Sequence, residues 1–300
     1  MIALGSWLAR LLDPGRGVDE LARRLGVDAA RLMQIEPSYR SFDIPKRSGG
    51  RRTIEAPEND LKHIQRLVLK RVLAGLKAHA AAIGFEKGRS IVHHADRHCG
   101  KALVIRVDIV DFFPSTRADR VYSYFRFIGW NRKASRLLTR LTTHNSHLPQ
   151  GAPTSPRLSN LINYRMDARL EAMIARITEG DGCYSRYADD LTFSVAHERP
   201  DDAASIVRHA SAIVRDEGYA LHRKRKTHIL RHGQRQLVTG LVVNHAVNLP
   251  REKRRWLRAV EHRLRQGKAA TLGQEELAGW RALENMIKSQ RSDPPHPSPR

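Results

Sequence analysis

Apolar residues along this chain recur with two periods, and each period predicts a different kind of element. From Val18 to Met33, Leu21, Leu25 and Leu32 fall at near-helical spacing, with Asp19 and Asp28 placed to cap short helices. A small helical layer is expected there. In SFDIPKRSGGRRTIEAP, Ile44 and Ile54 flank a basic turn at Gly49 and Gly50, the pattern of a hairpin. Leu61, Ile64, Leu67, Val68 and Val72 then predict a helix from Leu61 to about Ala78, with Lys62, Arg66, Lys70 and Arg71 on its other face. The run LVIRVDIV, Leu103 to Val110, reads as a buried strand, and two further strand-like runs surround YADDLTFSV. One helix is expected from about Ser155 to Ile177. Beyond Pro250, Trp256, Leu257, Val260 and Leu264, then Leu277, Trp280, Leu283 and Ile287, form two apolar helical faces. The closing RSDPPHPSPR is too polar and proline-rich to pack, which predicts a disordered tail.

Charge changes the picture. The 53 Lys and Arg against 31 Asp and Glu leave +22 on 300 residues, a self-repelling surplus that a polyanion would neutralise. Nucleic acid is the expected partner. No run of about 18 apolar residues suggests a membrane span, so no membrane partner is expected. Cys99 and Cys183 fit no metal-ligand spacing and are too few for a disulfide framework. The apolar start, Met1 to Leu12, lacks a basic opening and a small-residue cleavage site. A cytoplasmic location is expected.

Three carboxylates carry the candidate chemistry. Asp108 interrupts an apolar strand, where a charge is costly unless paired or bound to a cation. Asp189 and Asp190 sit side by side in a strand-turn-strand element, where each raises the other's pKa unless a positive group intervenes. Divalent ions would supply that charge. Mg²⁺ favours hard oxygen ligands and binds through a few carboxylates plus substrate phosphates, the arrangement used in two-metal phosphoryl transfer. The plainer alternative is an Asp108–Arg pair and an ordinary Asp-Asp turn.

These residues lie within longer motifs. VDIVDFFPS at 107–115, QGAPTSPRLSN at 150–160, RYADDLTFS at 186–194 and LVTGLVVN at 237–244 resemble, in order and approximate spacing, the motifs of reverse transcriptases over about residues 40–250. The resemblance implies an α+β right-hand polymerase fold, with fingers, an antiparallel palm sheet bearing the catalytic aspartates, and a small helical thumb. It implies an N-terminal extension at 1–38, fingers at 39–100, palm with interleaved fingers helices at 101–248, thumb at 249–290 and tail at 291–300. It also implies metal contacts at Asp108, Ile109, Asp189 and Asp190, with Asp108 and Asp189 ligating two Mg²⁺ ions, for which Mn²⁺ can substitute, and Asp190 supporting them. Phe113, five after the first Asp, matches a steric gate that excludes the ribose 2′-OH and selects dNTPs, with core filling as the alternative. Gln150 and Gly151 match the block under the nascent base pair, and Gly151 allows close backbone approach to the nucleotide. Lys46 and Arg52 match hairpin positions that grasp the triphosphate, for which cations are needed. Lys226 resembles a lysine on the pyrophosphate side, with Lys224 in contention.

GFEKGRSIVHHADRH at 84–98 is similar to the retron-type extension, with His94 where that group has Asn and with Ala95 and His98 in agreement; Val238, Thr239 and Gly240 match its Val-Thr-Gly triplet. His94 and His98, four apart, invite a zinc reading, but no third ligand accompanies them, and contacts to structured RNA are expected instead. The retron resemblance implies a folded noncoding RNA as template and primer, priming from a guanosine 2′-OH, an RNA-linked single-stranded DNA product, and a role in anti-phage defence beside an accessory toxin or effector. Arg251, Arg254, Arg255 and Arg258 would present the thumb's basic face to RNA. A group II intron enzyme, another defence-associated reverse transcriptase and a catalytically inactive RNA-binding scaffold are the competing readings. Only about fifty residues follow Pro250, which disfavours the first; the intact aspartates disfavour the last.

Overall fold

The computed structural model describes residues 13–45, 49–222 and 227–290. Lys46, Lys224, Lys226, the apolar start and the proline-rich tail lie outside the described residues. The chain forms two compact units: Met1–His79 with Val110–Met166 and Glu217–Tyr219, and Ala80–Ile109 with Asp167–Asp216 and Ala220–Arg300.

In the first unit, the predicted helical layer is a pair, Val18–Leu25 and Ala29–Gln34. Asp28 caps the second helix, accepting the Arg31 N–H at 2.9 Å. Asp19 caps nothing: Gly17 is the cap residue of the first helix and Asp19 lies in its first turn. Leu21, Leu25 and Leu32 pack with Leu61, Ile64 and Val68, with Val121 and Phe125 of helix Ala118–Phe127, and with Leu137, Leu138 and Leu141 of helix Arg132–Thr142. The predicted helix to Ala78 runs instead from Asn59 to Val68 and widens into a π-helical turn at Leu69–Leu73. Gly75 follows, and the Arg157 guanidinium donates to the carbonyls of Leu73 and Leu76, giving the late carbonyls a partner that helix continuation would have supplied.

The hairpin is present as β1, Tyr39–Pro45, and β2, Arg51–Pro57, with Phe42 opposite Ile54 and Ile44 opposite Arg52. Its distal part is exposed, while Glu55 and Pro57 at its base are buried. Gly151 explains part of that anchorage. The Glu55 N–H donates to the Gln150 carbonyl at 2.9 Å, and a Cβ on Gly151 would lie 2.8 Å from the Glu55 carbonyl oxygen. Gly151 has φ +144, which glycine alone adopts freely. The close approach at Gly151 brings β2 against its backbone.

The second unit is built on the strand LVIRVD. β3, Leu103–Asp108, lies inside a four-stranded antiparallel sheet between β5, Asp190–Val195, and β6, His228–Arg231; β4, Gly182–Tyr187, pairs with the other edge of β5. Val110 falls outside the strand. Side chains alternate across a sheet, so register sorts them into two faces. Leu103, Ile105 and Val107 share one face with Val195, Phe193 and Leu191, all buried. Val104, Arg106 and Asp108 share the other with Ser194, Thr192 and Asp190. β7, Leu237–Val238, and β8, Leu241–Val242, form a short hairpin, and the helices Arg251–Arg265 and Gln274–Gln290 follow. Leu257 and Ile287 join Val92, Ala95, Val104, Val238 and Leu241 in one apolar cluster.

The helix expected over 155–177 is interrupted. Ser155–Ile162 and Tyr164–Ile177 are separate, because Asn163 turns its amide back to the Ser159 carbonyl at 2.9 Å and also donates to the Tyr219 hydroxyl. Among the described residues no helix is long and apolar enough to cross a membrane.

The glycine contact predicts a contrast. Gly151→Ala, forced against the Glu55 backbone, should lower the unfolding midpoint by several degrees, about 2–4 °C per kcal/mol for a domain of roughly 150–250 residues. Gly50→Ala, also at positive φ (+83) but with nothing within 4 Å of its Cβ, should cost only the backbone strain of about 1–2 kcal/mol, less than Gly151→Ala. Circular dichroism melts decide; equal shifts in the two variants would contradict the close approach.

Candidate active site

The register that sorts β3 and β5 also brings two aspartates face to face. Asp108 ends β3 opposite Asp190, which begins β5. Tyr187 and Asp190 are paired across β4 and β5, so Ala188 and Asp189 form a two-residue turn at the same end of the sheet. The Asp189 carbonyl accepts the Ile109 N–H at 2.9 Å, tying this turn to the residue after Asp108. Like charges directly opposite one another repel. Arg106, two residues before Asp108 on the same face, offsets this by donating to Asp190: Nη2 reaches Oδ2 at 2.5 Å and Nε lies 3.2 Å from the same oxygen. Its Nη1 donates to the Leu237 carbonyl at 3.3 Å, and Thr192 donates to Asp190 Oδ1 at 3.2 Å.

Asp108 has a different neighbour. His222 Nε2 lies 3.3 Å from Asp108 Oδ1, and the His222 N–H donates to the Asp108 carbonyl at 2.9 Å. Neither Arg106 nor His222 was singled out from sequence. Arg106 sits at the period-two position that shares a face with Asp108, a signal legible in the strand pattern, whereas nothing in the spacing around His222 marks it. Among the described residues, no group of three or more His, Cys, Asp and Glu side chains is arranged to hold a metal ion.

Beneath Asp190, the same polar face carries a buried relay. His98 Nδ1 lies 2.8 Å from the Ser194 hydroxyl and Nε2 2.6 Å from the Ser185 hydroxyl, so the imidazole joins β5 to β4. Both His94 and His98 are fully buried, His94 within helix Ile91–Asp96 with its ring 5.7 Å from those of His98 and Tyr187. The expectation that they contact RNA is therefore corrected: their rings face the protein interior. Burial holds the His94 imidazole down at about 4, with the Asp190 charge acting in the opposite direction and Arg106 and Arg97 adding to the depression. Burial likewise holds His98 well below the ordinary range, with His94 contributing.

Of the remaining expected residues, Phe113, Arg52 and Gln150 lie in the first unit. Phe113 is half-buried against that unit's apolar cluster, beside the buried Phe112 at 5.6 Å between ring centroids. Arg52 is exposed on β2, and Gln150 is partly buried. At the base of the hairpin, buried Glu55 accepts from His147 Nε2 at 2.9 Å, an anchor not expected from sequence. In the second unit, Arg251, Arg254, Arg255 and Arg258 are exposed on a helix whose Leu257 and Val260 are buried. Lys253 of that helix is tucked over the Trp256 and Trp280 rings, at 3.8 and 4.2 Å.

Residues 44–270 match the family model for reverse transcriptase (RNA-dependent DNA polymerase). The retron Ec86 reverse transcriptase of Escherichia coli is 34% identical over 86% of this chain and 80% of its own length. The chain belongs to the retron-type reverse transcriptases. This reverse transcriptase is also 37% identical to the retron Mx162 enzyme of Myxococcus xanthus, over 89% of this chain but 63% of that enzyme's length, and 35% identical to the retron Mx65 enzyme, over 93% of this chain and 70% of that one. A telomerase structure from Candida albicans shares its fold at 10% identity, with a TM-score of 0.52 over 74% of this chain and 46% of that one. The right-hand polymerase fold expected of the α+β chain is thus the fold found, and the family's chemistry is RNA-directed DNA synthesis with divalent metal ions.

Because His94 and His98 are held neutral when folded and titrate near 6.5 when unfolded, the unfolded chain binds more protons below that pH. Stability conferred by the neutral rings is present above about pH 6.5 and is lost as pH falls toward 4, by up to about 1.4 kcal/mol per pH unit for each histidine. His94→Asn should therefore flatten the decline in melting temperature between pH 7 and pH 5. A decline equal in slope to the wild type would show that His94 does not carry it.

Proposed function

We propose that this enzyme copies a folded noncoding RNA into DNA, using dNTPs and divalent ions held at Asp108 and Asp189. The observation that carries this reading is the register: Asp108 and Asp190 are cross-strand partners, and Asp189 occupies the turn between them and β4. In this reading Asp108 and Asp189 make the direct contacts, with Ile109 beside them, and Asp190, held by Arg106, has a supporting role. Two carboxylates suit Mg²⁺, whose remaining positions substrate phosphates and water fill; Mn²⁺ can substitute. Two such ions, held by Asp108 and Asp189, would supply charge at the attacking 3′-hydroxyl and the departing pyrophosphate. The protein's own contribution is placement. In this reading Arg52 and Lys46 grasp the triphosphate, Gln150 and Gly151 support the nascent base pair, Lys226 or Lys224 serves the pyrophosphate side, and the Phe113 ring excludes a 2′-OH.

The exposed Arg251, Arg254, Arg255 and Arg258 give RNA a phosphate-binding face without base readout. The matched relatives are retron enzymes, which supports a structured RNA serving as template and primer, priming at a guanosine 2′-OH, and a DNA product that stays joined to RNA. A role in anti-phage defence with an effector protein rests on the same likeness, and a cytoplasmic site on the scarcity of cysteine. Group II-like or other defence-associated reverse transcriptases, or an inactive scaffold, would differ in the nucleic acid that copurifies with the protein.

Asp189→Asn should reduce dNTP incorporation by about two to three orders of magnitude, the scale expected from losing several kcal/mol of metal-borne stabilisation. RNA binding by the same preparation should change less than about twofold. Parallel loss of RNA binding would mean that Asp189 holds the fold. Phe113→Val should raise the ratio of rNTP to dNTP incorporation; a constant ratio with lower overall activity would place Phe113 in the core alone.

A further inference from the structure

The turn that carries Asp189 is strained. Ala188 adopts φ +58, a conformation that a residue with a Cβ occupies only when its surroundings enforce it. Two features of the same unit press on it. The Arg186 side chain is fully buried; its Nε and Nη2 donate to Asp167 Oδ1 and Oδ2 at 2.8 and 2.7 Å, and its Nη1 donates to the Ala188 carbonyl at 3.2 Å. Asp167, on helix Tyr164–Ile177, is also fully buried and accepts the Tyr184 hydroxyl at 2.8 Å. On the other side, a Cβ on Gly84 would lie 2.9 Å from the Ala188 nitrogen and 3.3 Å from the Tyr187 carbonyl carbon and Cα. Residues 81–84 are hydrogen-bonded there, with Arg186 N–H donating to the Ala81 carbonyl and Ile83 N–H to the Arg186 carbonyl, each at 2.8 Å.

A buried ion pair rarely stabilises a fold more than apolar side chains of the same volume would. What apolar packing lacks is a directed donor for the carbonyl of a strained turn, and the rigid guanidinium fork supplies one while both oxygens of Asp167 hold its other edge. We infer that Arg186, Asp167 and Gly84 are positioning residues, which clamp the Ala188 turn and thereby aim the Asp189 carboxylate at the metal. This rests on the reading of Asp189 as a metal ligand.

The test compares the full-length protein with Gly84→Ala, Arg186→Lys and Asp189→Asn, measuring steady-state kinetics on a generic primer–template and Mn²⁺ binding without nucleotide by the electron paramagnetic resonance signal of free Mn²⁺. Gly84→Ala is expected to remain folded by circular dichroism, to lose about tenfold or more in kcat with KM for dNTP within about twofold, and to bind Mn²⁺ several-fold more weakly. Arg186→Lys, which retains the charge but not the fork, should shift the same two readouts. Wild-type kcat and Mn²⁺ affinity in Gly84→Ala, with or without a lower melting temperature, would overturn the inference while leaving the site intact, provided Asp189→Asn is inactive. An active Asp189→Asn would instead overturn the reading of the site. If one variant fails to fold the other decides, and if both fail the residues are structural and the inference falls.

Discussion

Everything at the candidate site follows from one electrostatic constraint: like-charged carboxylates are held together at the end of a sheet whose other face is apolar. Asp108 and Asp190 are directly opposite in register, and Asp189 is one residue away at the turn. Left alone, such a group would push the strands apart. The protein meets part of the demand with Arg106 on Asp190 and His222 near Asp108. A divalent cation held at Asp108 and Asp189, as proposed above, would add positive charge at this corner and so link metal binding to its stability.

The two faces of the sheet divide the labour. On the apolar face, Leu103, Ile105, Val107, Leu191, Phe193 and Val195 supply the burial that sets register. A one-residue slip would move that whole set to the wrong side, so the pairing of the aspartates inherits its precision from hydrophobic packing. On the polar face, Arg106 and Thr192 are satisfied by Asp190, and Ser194 and Ser185 by His98. Burying polar groups is tolerable there because they are hydrogen-bonded.

Much of this was legible in the chain. The strand at Leu103, the hairpin around YADD, the fingers hairpin and the C-terminal helices follow from periodicity, and the aspartates stand out because charge inside an apolar run needs a reason. Partners were harder to read. That Arg106 would choose Asp190 over Asp108 depends on strand register, and that Arg186 would be buried with Asp167 depends on a helix docking nineteen residues away in sequence. His94 and His98 could be placed on one helical face, but spacing does not say whether that face meets solvent or a sheet. Helix ends at Leu69–Leu73 and Asn163 depart from the periodicity because the Arg157 and Asn163 side chains, remote or local, compete for backbone carbonyls. Gly151 is a site of close approach, as a glycine in that block suggests, and the backbone it admits includes that of Glu55.

The linkage between metal and structure gives the most direct measurement. Thermal unfolding of the wild type and of Asp108→Asn would be followed as Mg²⁺ is raised, without nucleotide or RNA. A ligand that binds only the folded chain raises stability by about RT ln(1 + [L]/Kd), so the wild-type midpoint should climb steadily with the logarithm of Mg²⁺ once its dissociation constant is passed. The Asp108→Asn midpoint should respond weakly or not at all over the same range. Equal responses in the two proteins would contradict the claim that these carboxylates are held together for a metal ion.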